Sequence, residues 1–229
     1  MGFTDVRPHA WPVKGHQSLV DHVHDFIEAL CLEEVSLVGN SQGAYVAAKY
    51  AIDHPEKVNK VVYIGSNTIY QAMQEKPERK LRSFLEVIGY DYTEEALRKF
   101  MNRNLLPGAE VPEELIEMRH KAATRPGVKE ANAAFDAYFA RMNEEPKLWD
   151  RYCIHNSRPK LKIPGLFIWG KQDAVASVEI GYKLEKLLPN VEFKYIDNCG
   201  HQAQTDQPEI VNQLVIDFLA TEQPAAVTN

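Results

Sequence analysis

Cysteine is scarce in this chain: three in 229 residues, an odd number, with no C-x-x-C pair. That excludes a disulfide frame and a paired-thiol zinc site, and it reads Cys31, Cys153 and Cys199 as reduced thiols. No apolar run approaches the roughly 20 residues that a membrane-spanning helix needs. Excess positive charge is also missing. The formal net charge of −6 disfavours nucleic acid and anionic membranes as partners. Asp5, Arg7, His9 and Lys14 leave no apolar signal-peptide core near the start. There is no internal repeat and no H-E-x-x-H pattern. His22 and His24 stand two apart in a helix-like stretch, so they point in nearly opposite directions and cannot grip one ion. No metal or cofactor is expected. Hydrophobic residues make up 45%, ordinary for a globular protein that buries a substantial core. The expectation is a cytoplasmic protein acting on a small molecule.

The most informative stretch is Gly39-Asn40-Ser41-Gln42-Gly43. The strand-like Val35-Ser36-Leu37-Val38 precedes it, and the helix-like Ala44-Tyr45-Val46-Ala47-Ala48-Lys49-Tyr50 follows. Strand, G-x-S-x-G, helix is the context of a nucleophile elbow. A tight turn of this kind is expected to exclude side chains at both flanking positions, and glycine meets that demand. Ser41 is then presented at the C-terminal end of a sheet, and Gln42 can offer its main-chain N–H as an oxyanion donor.

A serine hydroxyl needs a base, and the base needs an orienting carboxylate. In chain order, Asp173 follows the strand-like Ile163 to Gly170 by three residues, and His201 follows the strand-like Val191 to Ile196. Both fall just past strand ends, where parallel sheets gather their sites. Ser41, Asp173 and His201 are therefore the candidate catalytic set. Cys199 lies near His201 but is the weaker candidate nucleophile beside an elbow serine.

The chain divides into a first core part (1–66), a helical lid (67–160), a second core part (161–220) and a polar tail (221–229). A helix from Ser18 to Leu30, strands beginning at Val35, Val58, Ile163 and Val191, and a last helix from Pro208 to Leu219 make an α/β architecture. The four strands are expected side by side in that order, all parallel. The lid shows helical spacing interrupted by Pro77, Pro107-Gly108, Pro126-Gly127 and Pro146. In its helix after Val111-Pro112, Arg119 falls among Leu115, Ile116, Met118, Ala122 and Ala123 at 100° per residue. An inward guanidinium would need an anion, from substrate or from protein.

The chain resembles the meta-cleavage product hydrolases, carbon–carbon bond hydrolases of aromatic degradation with the α/β-hydrolase fold. The resemblance rests on Gly2-Phe3-Thr4-Asp5, Gly39-Asn40-Ser41, Glu114-Leu115-Ile116 with Arg119, Trp169-Gly170 with Asp173, and Cys199-Gly200-His201 with Ala203-Gln204. It extends to the Leu214-Val215-Ile216-Asp217-Phe218-Leu219 ending. It implies Ser41, Asp173 and His201 as the triad, no metal, and Asn40 and Arg119 on the dienoate end of a 2-hydroxy-6-oxo-hexa-2,4-dienoate. Where the family usually has tryptophan after the histidine, this chain has Gln202, which would face substrate.

A second departure concerns the front of the chain. The family places four strands before the elbow strand, whereas 34 residues precede Val35 here. The expectation is an α/β-hydrolase-type sheet lacking its N-terminal strands and one oxyanion donor. The elbow strand would then be an edge open to self-association unless residues 1–15 cover it. Two other readings stay open: an ester hydrolase with the same triad, and a catalytically impaired fragment or ligand-binding module.

Overall fold

In the computed structural model, the chain is described over residues 14–77, 80–83, 86–87 and 89–221, without the side chains of 158–160. The Gly2 to Asp5 part of the resemblance, and the tail beyond Thr221, lie outside the described residues. Helix α1 (Gln17–Ala29) leads into β1 (Val35–Asn40), then α2 (Gln42–Asp53) and β2 (Val58–Ile64). The described helices that follow are α3 (Asn67–Ala72), α4 (Glu94–Asn104), α5 (Glu113–Ala123), α6 (Val128–Met142) and α7 (Pro146–Tyr152). The alternation resumes with β3 (Gly165–Gly170), α8 (Val178–Leu187), β4 (Val191–Ile196), the single turn α9 (Ala203–Asp206) and α10 (Pro208–Ala220).

The four described strands pair in the order β1-β2-β3-β4, all parallel. This is the order expected from the sequence. β3 begins at Gly165, two residues later than its apolar run suggests, because Pro164 offers no N–H to the ladder. The two inner strands are near-continuous apolar runs, as befits a sheet covered on both faces. Side chains alternate across it. Val61, Tyr63, Phe167 and Trp169 pack with α1, α2 and α8 on one face. Val62, Ile64, Leu166 and Ile168 pack beneath α9 and α10 on the other.

Among the described residues β1 pairs with β2 alone. Val38 shares the face of Val62 through the β1–β2 register, yet it is 53% exposed. The cover expected from residues 1–15 lies almost wholly outside the described residues. On the same face, Lys60 is buried and its ammonium donates to the carbonyls of Phe218 and Leu219 at 2.8 and 2.9 Å, and also to that of Thr221. A cation placed there satisfies the last carbonyls of α10 and complements the negative end of its dipole.

The helices between β2 and β3 are tied to the core at the elbow helix. Tyr45 donates its hydroxyl to the Tyr152 carbonyl at 2.8 Å, and Tyr152 donates to the Thr68 carbonyl at 2.9 Å. The rings of Tyr45 and Tyr152 stack, and with Phe135, Tyr138 and Phe139 they enclose the imidazole of His16. Nothing in the sequence singles out His16, since one histidine at a helix start carries no pattern. Burial pushes its pKa down to about 3, because an aromatic box cannot solvate the imidazolium.

This histidine gives the fold a pH dependence of defined sign. It titrates near 6.5 in the unfolded chain and near 3 in the folded one. The unfolded state binds the extra proton in that window, so the contribution is full above 6.5 and is lost as pH falls toward 3. One group gives a slope of up to about 1.4 kcal/mol per pH unit. Urea unfolding of the chain should therefore lose roughly 2 kcal/mol between about pH 7 and about pH 5, and His16→Phe should remove most of that loss. Equal losses in both proteins would show that His16 is not buried in neutral form.

Candidate active site

Ser41 sits at the end of β1 with φ 55° and ψ −115°, outside the regions an L-residue ordinarily occupies. Two main-chain contacts hold it there. The Ser41 N–H donates to the Ile64 carbonyl at 2.8 Å, and the buried Ser66 hydroxyl donates to the Ser41 carbonyl at 2.7 Å. Ser66 also accepts the Ile69 N–H, capping α3. A β-carbon on Gly39 would stand 2.4 Å from the Gly43 carbonyl carbon, so glycine is required before the turn. The expectation for Gly43 is corrected: a β-carbon there meets no described atom within 4 Å. The elbow folds back over its entry side, while its exit points into open space.

Asp173 and His201 meet across the ends of β3 and β4. The His201 Nδ1–H donates to Asp173 Oδ2 at 2.8 Å, and both side chains are almost fully enclosed. The other carboxylate oxygen, Oδ1, accepts the N–H groups of Val175 at 2.8 Å and Ala176 at 2.7 Å. A carboxylate so divided fixes the imidazole orientation and tautomer, leaving Nε2 as the lone-pair nitrogen. Gln172 braces the two loops: its N–H donates to the Cys199 carbonyl, and its Oε1 accepts the Cys199 N–H, both at 3.0 Å. Gly65, with φ +44°, supplies the gap: a β-carbon there would lie 3.2 Å from Asp173 Oδ2 and 3.4 Å from His201 Nδ1. Sequence reasoning misses Gly65, Ser66 and Gln172. The available signal is the Gly-Ser pair closing a buried strand.

The remaining candidates divide. Gln42 opens α2, where main-chain N–H groups lack helical acceptors, and its N–H has no acceptor among the described residues. Its side-chain amide donates to His16 Nε2 at 3.0 Å. Asn40 is corrected: its amide donates to the carbonyls of Ile64 at 3.1 Å and His201 at 3.0 Å. Both hydrogens are spent on the protein, and the oxygen that remains cannot donate to a carboxylate. Asn40 instead joins the Ser41 turn to the His201 loop. Gln202 is half-buried and donates its main-chain N–H to the Asn104 carbonyl at 2.9 Å.

Arg119 does not point inward. Only Ile116 and Ala122 of α5 are buried, Met118 is exposed, and so is Arg119. The helix packs on α4 through a narrow stripe around Ile116, and a long guanidinium stem can leave an apolar face for water. Arg119 makes no ion pair among the described residues. Cys199 is buried, and its thiol is pushed up to about 12 by that burial and by the charges of Asp206 and Asp173, so it is inert as a nucleophile. The clearest hollows among the described residues lie on the helical segment, beside Gly89 and Arg103 and beside Tyr90 and Lys129. Neither includes Ser41, Asp173 or His201. The candidate site is marked by the elbow backbone and the Asp173–His201 hydrogen bond; among the described residues the Ser41 hydroxyl makes no hydrogen bond to His201.

A strained serine between a parallel strand and a helix, beside a buried Asp–His pair, defines the class. The chain belongs to the alpha/beta hydrolase fold family, whose sequence model matches residues 2–208. Within that family it is similar to meta-cleavage product hydrolases. It is 31% identical over 225 residues to the 2-hydroxy-6-oxo-2,4-heptadienoate hydrolase of Pseudomonas putida, covering 96% of this chain and 75% of that protein. It is 30% identical over 195 residues to a 2-hydroxy-6-oxononadienedioate/2-hydroxy-6-oxononatrienedioate hydrolase of Paraburkholderia phymatum, covering 84% of this chain and 65% of that protein. The chain thus spans about two thirds to three quarters of these relatives' length. Among solved structures, the meta-cleavage product hydrolase CumD of Pseudomonas fluorescens IP01, with acetates bound, superposes with a TM-score of 0.74 at 26% identity. That match covers 96% of this chain and 76% of CumD.

The two glycines of the elbow should respond oppositely to a methyl group. Gly39→Ala forces the β-carbon into main chain and should cost about 1–3 kcal/mol in urea unfolding. Gly43→Ala meets no obstacle and removes a helical glycine, which should add about 0.5–1 kcal/mol. Destabilisation of similar size at both positions would contradict the geometry at Gly43.

Proposed function

We propose that the chain is a serine-type hydrolase that cleaves a carbon–carbon bond in a 2-hydroxy-6-oxo-hexa-2,4-dienoate-like product of aromatic ring cleavage. The observation that carries this reading is the Asp173–His201 pair at 2.8 Å beside the strained Ser41, in a chain about 30% identical to dienoate hydrolases. In this reading the dienol first ketonises, which turns the bond next to the C6 ketone into one that can break. His201 Nε2 takes the proton of the attacking oxygen, from Ser41 or from water. The C6 oxygen gathers negative charge facing the Gln42 N–H. The C5–C6 bond then breaks, its electrons pass into the dienoate half, and that half takes up the proton to leave as a 2-hydroxydienoate. The C6 half leaves as a carboxylic acid, directly where water attacks and by hydrolysis of its ester where Ser41 attacks. Water is consumed and no redox change occurs, so the chemistry calls for no cofactor.

The helices between β2 and β3 serve as the lid. Arg119, exposed and without an ion-pair partner among the described residues, supplies the positive charge for the dienoate carboxylate. Gln202, half-buried and next to His201, puts an amide where the family usually carries tryptophan. A second reading, ester hydrolysis with the same three residues, is favoured by the 26% identity over 217 residues to mouse monoacylglycerol lipase ABHD6. A third is a ligand-binding module that keeps the pocket without turnover.

A fluorophosphonate should label the chain at Ser41, and Ser41→Ala should lose both label and turnover with folding nearly unchanged. His201→Ala should fail in the same assays through loss of the base. Loss of the yellow dienol absorbance, with weak turnover of p-nitrophenyl esters, separates carbon–carbon cleavage from the ester reading. Arg119→Gln should lower kcat/KM on the dienoate roughly ten- to hundredfold and leave neutral esters nearly unaffected. An equal loss on both substrates would assign Arg119 a structural role, and absence of label in folded protein would favour the binding module.

A further inference from the structure

His201 is fixed from a direction that the triad does not use. One oxygen of Asp206, Oδ2, accepts two main-chain N–H groups: Gly200 at 2.7 Å and Leu106 at 3.0 Å. Gly200 immediately precedes His201. Leu106 lies just past the C-terminus of α4, where the helical segment meets the core. On the other side of His201, the Gln202 N–H donates to the Asn104 carbonyl at 2.9 Å. The two chain segments are in backbone contact, because a β-carbon on Gly200 would stand 2.6 Å from the Leu105 carbonyl carbon. The carbonyl of His201 itself is taken by the Asn40 amide.

We propose that Asp206 is a positioning residue for His201, a carboxylate latch that fastens the Gly200–His201–Gln202 loop to the root of the helical segment at Asn104–Leu106. A carboxylate is suited to this, since one ionised oxygen accepts two N–H groups and such bonds are about twice as strong as neutral ones. The consequence is mechanical. Any displacement of the Asn104–Leu106 segment pulls on the residues flanking His201, while Asp173 grips the ring itself. Movement of the helices over the site is thereby carried to the imidazole. The latch rests on geometry alone, whereas its effect on Ser41 reactivity rests on the hydrolase reading above.

The experiment compares Asp206→Ala with Asp206→Asn. The amide oxygen of the introduced asparagine can still accept both N–H groups, while alanine accepts neither. Labelling of Ser41 by a fluorophosphonate should slow roughly ten- to hundredfold in the alanine variant and stay within about threefold of the unaltered chain in the asparagine variant. Equal slowing in both variants would make the charge, not the latch, the active feature and would overturn the proposal. The far-downfield proton resonance of the His201 Nδ1–H bound to Asp173 gives a readout independent of turnover. It should persist in the asparagine variant and broaden or vanish in the alanine variant; persistence in both overturns the latch. If the unaltered chain itself takes no label, the hydrolase reading fails while this resonance still decides the latch. Should Asp206→Ala not fold, hydrogen exchange on the unaltered chain replaces it. The Gly200 and Leu106 amides should be protected to within about tenfold of each other, because one opening frees both; a larger difference overturns the proposal.

Discussion

The main chain at Ser41 turns through a conformation that a side chain strongly disfavours, and it stays there because the end of β2 holds it on both sides. Ile64 accepts the Ser41 N–H and Ser66 donates to the Ser41 carbonyl. Such a residue costs on the order of 1–3 kcal/mol and persists only where its surroundings over-determine it. Much of the site follows from meeting that demand. The chain leaving β2 must run on past the elbow, so Gly65 and Ser66 fall beside Ser41. Gly65, lacking a β-carbon, then leaves room for the Asp173–His201 pair. β2 contributes none of the three candidate residues, yet Ile64, Gly65 and Ser66 at its end contact or make room for each of them.

Electrostatics imposes a second constraint of the same kind. A buried carboxylate is tolerated only when its oxygens are satisfied. Asp173 meets this with two main-chain N–H groups on one oxygen and the imidazole on the other. The loop after β3 is thereby wound around the carboxylate that it presents. Gly170 belongs to the same arrangement, since a β-carbon there would lie 2.2 Å from the Gly200 carbonyl oxygen. The short distance between the β3 and β4 loops is the physical reason that residues far apart in sequence can share one proton.

Features written in local pattern are legible in the sequence. The elbow declares itself through glycine spacing and through the change from strand to helix periodicity. Asp173 and His201 declare themselves by standing just past buried apolar runs. The strand order follows from parallel connectivity once each strand is seen to alternate with helices. What stays hidden depends on how separate segments meet. Arg119 lies at the centre of an apolar arc by angle, but α5 packs through a narrower stripe than the arc implies. Asn40 is the right kind of residue to bind a carboxylate, and only the position of His201 reveals that its amide is already committed. His16 and Asp206 have no local signature, because an aromatic box and a bridging carboxylate exist only after the chain has folded.

Among the described residues, the joins between the helical segment and the core include one at the elbow helix and one at the His201 loop. Through Tyr45 and Tyr152 the segment holds the helix that starts at Gln42, the candidate oxyanion donor. Through Asp206 and Asn104 it holds the loop that carries His201. Ser41 and the Gln42 N–H therefore share one anchor, and His201 has another. Both anchors belong to the sheet's C-terminal end, where open parallel sheets gather their sites. α6 is tied to the core as well, by the rings that enclose His16. α5, by contrast, packs on α4 through Ile116 and carries the exposed Arg119.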